Sequence, residues 1–202
     1  IPLMRPRHYS IASCMNENPS NIDICVGLVR TKTRYSRVYE GVCSSYLINS
    51  HINDEIYFYI TTGLIQSIQP IINDLTIPLI LIGPGTGVAP MRAIVKHRIQ
   101  LLKQIEGVVS NDVFKLFLGN RHIDKDFLYR DDWEIFISNE SSSELIDKSL
   151  DNSIRSYNYN NSTMYLSTAF SRQDNNKYYV NNNIEKYGKY LYDLIVNKNG
   201  YI

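Results

Sequence analysis

The chain contains a glycine-rich turn whose spacing suits a bound phosphate group. The turn runs Gly83-Pro84-Gly85-Thr86-Gly87-Val88-Ala89-Pro90 and follows the apolar residues 78–82. Glycines let the backbone approach an anion closely, and the N–H groups and dipole at a helix start attract negative charge. Because Val88 stands where the usual GxGxxG pattern has its third glycine, a structural turn without a ligand is an alternative. The position after an apolar strand and before a helix favours phosphate binding.

A basic cluster follows another strand-like segment, residues 164–170. Ser171 and Arg172 come directly after it, and Lys177 and Tyr179 lie a few residues further on. Ligands bind at strand ends in open α/β sheets, where Arg and Lys can pair with the 2′-phosphate that distinguishes NADP from NAD. A solvated basic loop is the alternative, because charged side chains are common on surfaces.

Two further candidates lie near the start of the chain. Arg7-His8-Tyr9-Ser10 places an arginine and an aromatic ring on one face of a strand, where they can hold a phosphate and stack on a ring system. Tyr9 also fits ordinary sheet packing. Gly41-Val42-Cys43-Ser44 precedes a helix-like segment and forms a second possible phosphate cradle.

These residues need a β part and an α/β part to position them. Strand-forming residues predict strands at residues 8–13, 22–31 and 56–62, with a short helix within residues 41–48. Apolar strands at residues 78–82, 113–118 and 164–170 alternate with helices, the first with Pro90 at its first position, which predicts an open parallel sheet. The polar residues 138–162 predict a disordered surface insertion.

Composition excludes several classes of function. A formal charge of +1, without a Lys/Arg run, predicts no nucleic-acid binding. The longest apolar run, residues 77–88, contains prolines and glycines and is far shorter than the roughly 20 residues of a membrane span. Three cysteines without CxxC spacing and four scattered histidines predict no disulfide framework and no metal site, which fits a reducing cytoplasm. Because the chain starts at Ile1 and Gly200-Tyr201-Ile202 reads as a strand just beginning, we expect a fragment cut at both ends.

Five motifs, in this order, resemble the diflavin reductase branch of the ferredoxin-NADP reductase superfamily. They are Arg7-His8-Tyr9-Ser10-Ile11-Ala12-Ser13, Gly41-Val42-Cys43-Ser44-Ser45-Tyr46-Leu47, Gly83 to Arg92, Leu118-Gly119-Asn120-Arg121 with Asp126-Phe127-Leu128-Tyr129, and Ala169-Phe170-Ser171-Arg172 with Lys177 to Val180. Within the branch the chain is most similar to the diflavin reductases of cytosolic iron-sulfur protein assembly. The resemblance implies part of an FAD-binding antiparallel β-barrel over residues 1–75. An open parallel α/β NADP-binding domain would follow over residues 76–202, without its final strand.

The resemblance also implies roles for individual residues. FAD binding is expected of Arg7, His8, Tyr9, Ser10, Gly41, Val42, Cys43 and Ser44. NADPH binding is expected of Gly85, Thr86, Gly87, Arg121, Ser171, Arg172, Lys177, Tyr178, Tyr179, Val180 and Asn181. Ser10, near flavin N5, and Asn120, near the nicotinamide, are the expected catalytic residues. Asn120 replaces a cysteine that is usual in the family, so we expect slower transfer.

The implied reaction is hydride transfer from NADPH to FAD. Electrons would then pass through FMN, on a domain outside this chain, to an acceptor protein such as an anamorsin-type iron-sulfur protein. A single-flavin ferredoxin-NADP reductase and a cytochrome P450 reductase-type enzyme are alternatives. A non-enzymatic interaction module is a third, and Asn120 is the sequence feature that favours it.

Overall fold

Short antiparallel pairs form the N-terminal part of the computed structural model, which describes residues 4–105, 112–133, 154–159 and 162–202. Strand β1 (Arg30–Lys32) pairs with β2 (Val38–Glu40), and a single bridge joins Ile11 to Ile24. Helix α1 (Val42–Asn49) follows Gly41, which confirms the helix expected within residues 41–48. A turn of 3-10 helix (Leu64–Ile68) and helix α2 (Gln69–Asn73) lead into the α/β part.

The prediction of strands at residues 8–13 and 56–62 is wrong, because the described structure has no strand there. Of the strand predicted at residues 22–31, only the part from Arg30 onward is observed. Tyr57 and its neighbours are extended but exposed, Tyr57 to 92%. A strand is defined by a neighbour that pairs its backbone N–H and C=O groups, and among the described residues nothing pairs with residues 56–62. The local pattern therefore indicated strand propensity but not the partner.

A four-stranded sheet forms the second part. Its elements are β3 (Leu79–Pro84), α3 (Val88–Gln104), β4 (Asp112–Asn120), β5 (Ile154–Tyr159), β6 (Ser162–Phe170), α4 (Val180–Lys186) and α5 (Gly188–Val196). The strand order is β3-β4-β6-β5, with β3, β4 and β6 parallel and β5 antiparallel at one edge. The predicted open parallel sheet is confirmed, as is a strand start after Gly200, because Tyr201 pairs in parallel with Leu79 at the other edge.

Apolar side chains cover both faces of this sheet. Leu79 and Leu81 pack with the α3 face of the core, whereas Ile80 between them packs with Leu191 and Leu194 of α5. Consecutive strand residues point to opposite faces, so a continuously apolar strand must be covered on both sides. This arrangement leaves the strand ends as the place where polar side chains gather.

Two predictions in this part need correction. Pro90 is the third residue of α3, not the first, because the helix begins at Val88; its missing N–H still falls in the first turn, where no intrahelical acceptor exists. The prediction of a disordered insertion over residues 138–162 is wrong for residues 154–159, which form β5, and for Ser162, which begins β6. Residues 138–153 and 160–161 lie outside the described structure. The domain boundary between residues 75 and 76 stays a prediction.

The cysteines, the groups of possible metal ligands and the helices of the described residues bear on other kinds of site. Cys14, Cys25 and Cys43 are free thiols. No group of three or more His, Cys, Asp or Glu side chains within the described ranges is arranged to hold a metal ion. Among the helices that the structure describes, none is long and apolar enough to cross a membrane.

Candidate functional site

A cleft of about 470 Å³ opens where β3, β4 and β6 end. The carboxyl ends of parallel strands meet at one edge of an open sheet, and ligands bind in the crevice outside that edge. The cleft is lined by Pro84, Gly85, Gly119, Asn120, Arg121, Asp126, Ala169, Ser171, Tyr178, Tyr179, Val180 and Asn181. Seven of these were predicted nucleotide-binding residues, namely Gly85, Arg121, Ser171, Tyr178, Tyr179, Val180 and Asn181.

The glycine turn joins β3 to α3 on one side of the cleft. Gly85 has a φ of 54°, in the left-handed region that favours glycine, and residues Gly85–Gly87 form one turn of 3-10 helix. No side chain caps the start of α3, so the dipole of this helix is open to an anion, while the Val88 N–H already donates to carbonyls of the glycine turn. Thr86 is exposed, and its methyl group lies 3.3 Å from where a Cβ on Gly27 would be. The turn is therefore shaped for close approach by a phosphate.

Gly119 brings three elements together at the base of the cleft. A Cβ on this residue would lie 2.6 Å from Cγ2 of Val180, at the start of α4, and 3.5 Å from Cβ of Pro84. Any larger residue would push the ends of β4 and α4 apart. Gly119 lies within a motif quoted above, but no role was predicted for it. The close contact at Gly119 is made by Val180, 61 positions further along the chain (180 minus 119), so the local sequence does not show it.

Asn120, the last residue of β4, has its side-chain amide hydrogen-bonded to the loop that follows the strand. Its Nδ2 donates to the carbonyl oxygen of Asp126 at 2.6 Å. The Asp126 carboxylate accepts the backbone N–H of Arg121 at 3.1 Å and that of His122 at 2.6 Å. These contacts hold the loop that carries Arg121 at the rim. Asp126 was not among the predicted site residues. Its position in the quoted motif, six residues after Asn120, is the sequence feature that could have indicated its role.

The predicted basic residues follow at the same edge. The parallel pairing of β4 and β6 continues past the strands, because Ser171 N–H donates to the Asn120 carbonyl and Arg172 N–H to that of Arg121, each at 2.9 Å. This places the backbones of the two arginines side by side. The side chains of Arg121, Arg172 and Lys177 are exposed. The rim therefore presents cations beside the cleft.

Tyr178 and Tyr179 differ in what their side chains do. The Tyr178 hydroxyl donates to Oδ1 of Asn183 at 2.6 Å, and Asn183, which is 1% exposed, donates to the carbonyl of Thr168 at 3.0 Å. The hydroxyl therefore holds the Asn183 amide that joins α4 to β6, a role that the sequence did not predict. The Tyr179 ring is 49% exposed and lines the cleft. It is the aromatic surface on which a flat ring can stack.

The predicted flavin residues form a separate group, outside the cleft lining. Tyr9 is hydrogen-bonded to the Cys43 side chain, so the structure brings two of the predicted motifs together, and this bond, with burial, raises the pKa of Tyr9. The side chains of Arg7, His8 and Ser10 are exposed.

The expectation for Gly41 and Ser44 needs a correction. Gly41 N–H donates to the Val29 carbonyl at 2.8 Å and is not available to a ligand. The Ser44 hydroxyl is buried and joins Gly41 O at 3.1 Å to Val29 N–H at 3.2 Å, so it fixes the start of α1 instead. The first-turn N–H groups of Val42, Cys43 and Ser44 lie ahead of the first intrahelical bond, in which Ser45 N–H donates to Gly41 O. Without a capping side chain, they can serve a phosphate.

Comparison with known proteins identifies the same architecture. The family model described as oxidoreductase NAD-binding domain matches residues 81–185. NADPH-dependent diflavin oxidoreductase 1 of Xenopus laevis is 33% identical over 100% of this chain, and that of Schizosaccharomyces pombe is 31% identical over 99%. NADPH–cytochrome P450 reductase of Musca domestica is 31% identical over 100%. The chain spans 28%, 28% and 26% of these three relatives, respectively.

The matched residues include β3 from Leu81 onward, the glycine turn, α3, β4, β6 and α4 as far as Glu185, which are the elements that build the cleft. The chain therefore belongs to the oxidoreductase NAD-binding domain family.

Proposed function

We propose that this chain is the NADPH-binding part, with some of the FAD-binding part, of a flavoprotein reductase. The observation that carries the proposal is the cleft at the carboxyl edge of the sheet, which combines a glycine turn, an exposed tyrosine and a rim of cations. When bound, the two cofactors supply hydride transfer from a nicotinamide to a flavin. The chain's own residues supply binding and orientation.

The residues of the cleft fit a phosphorylated dinucleotide. The turn at Gly85 and the uncapped start of α3 suit the pyrophosphate. Arg172 and Lys177, both exposed beside the cleft, suit a 2′-phosphate, with which an arginine forms two parallel charge-assisted bonds. Tyr179 offers an exposed ring for a base to stack on, and Asn120 and Asp126 hold the loop that carries Arg121 in place.

The N-terminal residues fit a flavin nucleotide in a similar way. The free first-turn N–H groups of α1 suit its pyrophosphate, supported by the exposed Arg7. Tyr9, held by Cys43, offers an aromatic ring beside them. Ser10 is exposed next to that ring and can donate a hydrogen bond to a ring nitrogen.

The complete reaction extends beyond this chain. We propose that electrons pass through FMN to an acceptor protein, by a diflavin route, because relatives named NADPH-dependent diflavin oxidoreductase 1 align over the whole chain. An iron-sulfur protein of cytosolic assembly, in the cytoplasm, is the proposed acceptor. A cytochrome P450 reductase-type enzyme is the second candidate, favoured by the 31% identity to the Musca domestica reductase.

Calorimetric titration of the chain with NADP⁺ and with NAD⁺ tests the nucleotide site. We expect tighter binding of NADP⁺, and loss of that preference in Arg172→Ala, because the 2′-phosphate loses a charge-assisted partner. Lys103→Ala is the matched control, since Lys103 is exposed at the far end of α3 and should keep the preference. Equal affinity of the unsubstituted chain for both nucleotides would contradict the proposal.

A further inference from the structure

Arg92 is a buried arginine that joins the N-terminal part to helix α3. It lies four residues after Val88, the first residue of α3, and is 7% exposed. Its guanidinium donates to the carbonyl oxygen of Ala12 and to the Asp23 carboxylate, each at 2.8 Å. It also donates to the Asp132 carboxylate. One side chain on α3 therefore holds residues 12–23 and Asp132, which are far apart in the sequence.

Neighbouring contacts strengthen the same junction. The guanidinium carbon of Arg92 lies 4.4 Å from the ring centroid of Tyr129, whose hydroxyl is hydrogen-bonded to the Cys25 side chain. Lys96, one turn further along α3, bridges Glu17 at 2.8 Å and Asp132 at 3.1 Å. These contacts join α3 to residues 12–25, either directly or through Tyr129 and Asp132.

The segment held in this way is the one that follows the predicted flavin motif. Ala12 and Asp23 are themselves joined, because Ala12 N–H donates to the Asp23 carbonyl at 2.8 Å. Ser10 is two residues before Ala12, so it lies within about 7 Å of it along the chain, at no more than about 3.6 Å per residue. At its other end, the Arg92 helix begins directly after the glycine turn. Arg92 therefore joins the segment that follows the predicted flavin motif to the helix that follows the glycine turn.

We infer that Arg92 is a positioning residue that sets the distance between flavin and nicotinamide by clamping residues 12–23 to α3. The inference rests on the proposed function, since it concerns the same hydride transfer. Transfer between two bound groups is sensitive to their separation, and a misplacement of about 1 Å can cost a hundredfold in rate. Lysine at position 92 keeps the charge but has one ammonium in place of a planar fork with five N–H donors, so it cannot reproduce all three contacts.

Arg98 provides a matched control on the same helix. It is 0% exposed and donates to the carbonyls of Asp74 at 2.8 Å and Ile77 at 2.9 Å, which precede β3. Among the described residues it has no hydrogen bond to residues 4–25. Arg98→Lys should thus disturb packing to a similar degree without moving the flavin segment.

The test is anaerobic stopped-flow reduction of the flavin by NADPH in the full-length protein, with FAD content and the melting temperature measured beside it. We expect Arg92→Lys to slow flavin reduction at saturating NADPH by about tenfold, with the NADPH dissociation constant and the FAD content unchanged. Asp23→Asn, which removes one acceptor of the clamp, should slow it in the same direction. Arg98→Lys should lower the melting temperature without slowing the reduction.

Each outcome decides a different point. Unchanged reduction rates in both Arg92→Lys and Asp23→Asn would overturn the positioning role, as would equal slowing in Arg98→Lys. A rate that falls only in proportion to lost FAD would also overturn it, because the residue would then act on flavin retention. Failure of NADPH to reduce the flavin of the unsubstituted protein would overturn the proposed function and the inference together.

Discussion

Gly119→Ala should destabilise the chain and distort the cleft. The added Cβ would lie 2.6 Å from Cγ2 of Val180, while ordinary contacts begin at 3.4 Å, so the two groups must separate by about 0.8 Å (3.4 minus 2.6). Val180 is buried and short, so it cannot swing away. Overpacking of this kind costs about 1–3 kcal/mol. For a chain of this size, each kcal/mol lowers Tm by about 2–4 °C.

The assay is thermal and urea unfolding of Gly119→Ala, Val180→Ala, their double variant and Gly63→Ala, with NADP⁺ affinity measured on each. Gly63→Ala is the control, because nothing lies within 4 Å of the added Cβ and its unfolding free energy should stay within about 1 kcal/mol. Val180→Ala combined with Gly119→Ala should be more stable than the sum of the single effects predicts, by about 0.5–3 kcal/mol. Strict additivity, or a Gly119→Ala protein as stable as the original, would refute the steric reasoning.

Other predictions concern the loop at the rim and a buried ion pair. Asp126→Asn should raise the NADP⁺ dissociation constant by about tenfold or less, because a charged acceptor for the N–H groups of Arg121 and His122 is lost; unchanged affinity in a calorimetric titration would contradict this. Lys115, buried 2.8 Å from Asp112, has its pKa lowered by burial from 10.5 to about 7. The unfolded chain then binds the extra proton between these values, so unfolding free energy should rise by about 1 kcal/mol per unit from about pH 7 to about pH 9. Lys115→Met should abolish the rise, and an equal slope in this variant would assign it to another group.

The sequence predicted the elements that make the α/β sheet more accurately than those of the N-terminal part. Continuous apolar runs predicted β3, β4 and β6 to within two residues, because a strand buried on both faces has a composition of its own. Residues 56–62 have equally good strand propensity, yet they remain unpaired among the described residues. Pairing depends on a neighbour that local composition does not specify.

The candidate site followed a similar division. Gly85 and Arg172 could be predicted as phosphate-binding candidates because short motifs carry the backbone freedom and charge that phosphate binding requires. The roles of Gly119 and Arg92 were not found, because each depends on residues about 40 to 80 positions away along the chain. The Asn120 amide was expected to lie at the nicotinamide. Its hydrogen bond to the Asp126 carbonyl depends on the conformation of the loop after β4, which the sequence alone does not specify.

The most direct test of the proposed function is the absorption of the oxidised flavin in the full-length protein under anaerobic conditions. The residues at the cleft rim predict that NADPH bleaches the band at concentrations where NADH leaves it nearly unchanged, because Arg172 and Lys177 have a partner only on the 2′-phosphate. A band that NADPH does not bleach, with FAD bound, would contradict the reductase assignment. Equal bleaching by both nucleotides would contradict the role of the rim.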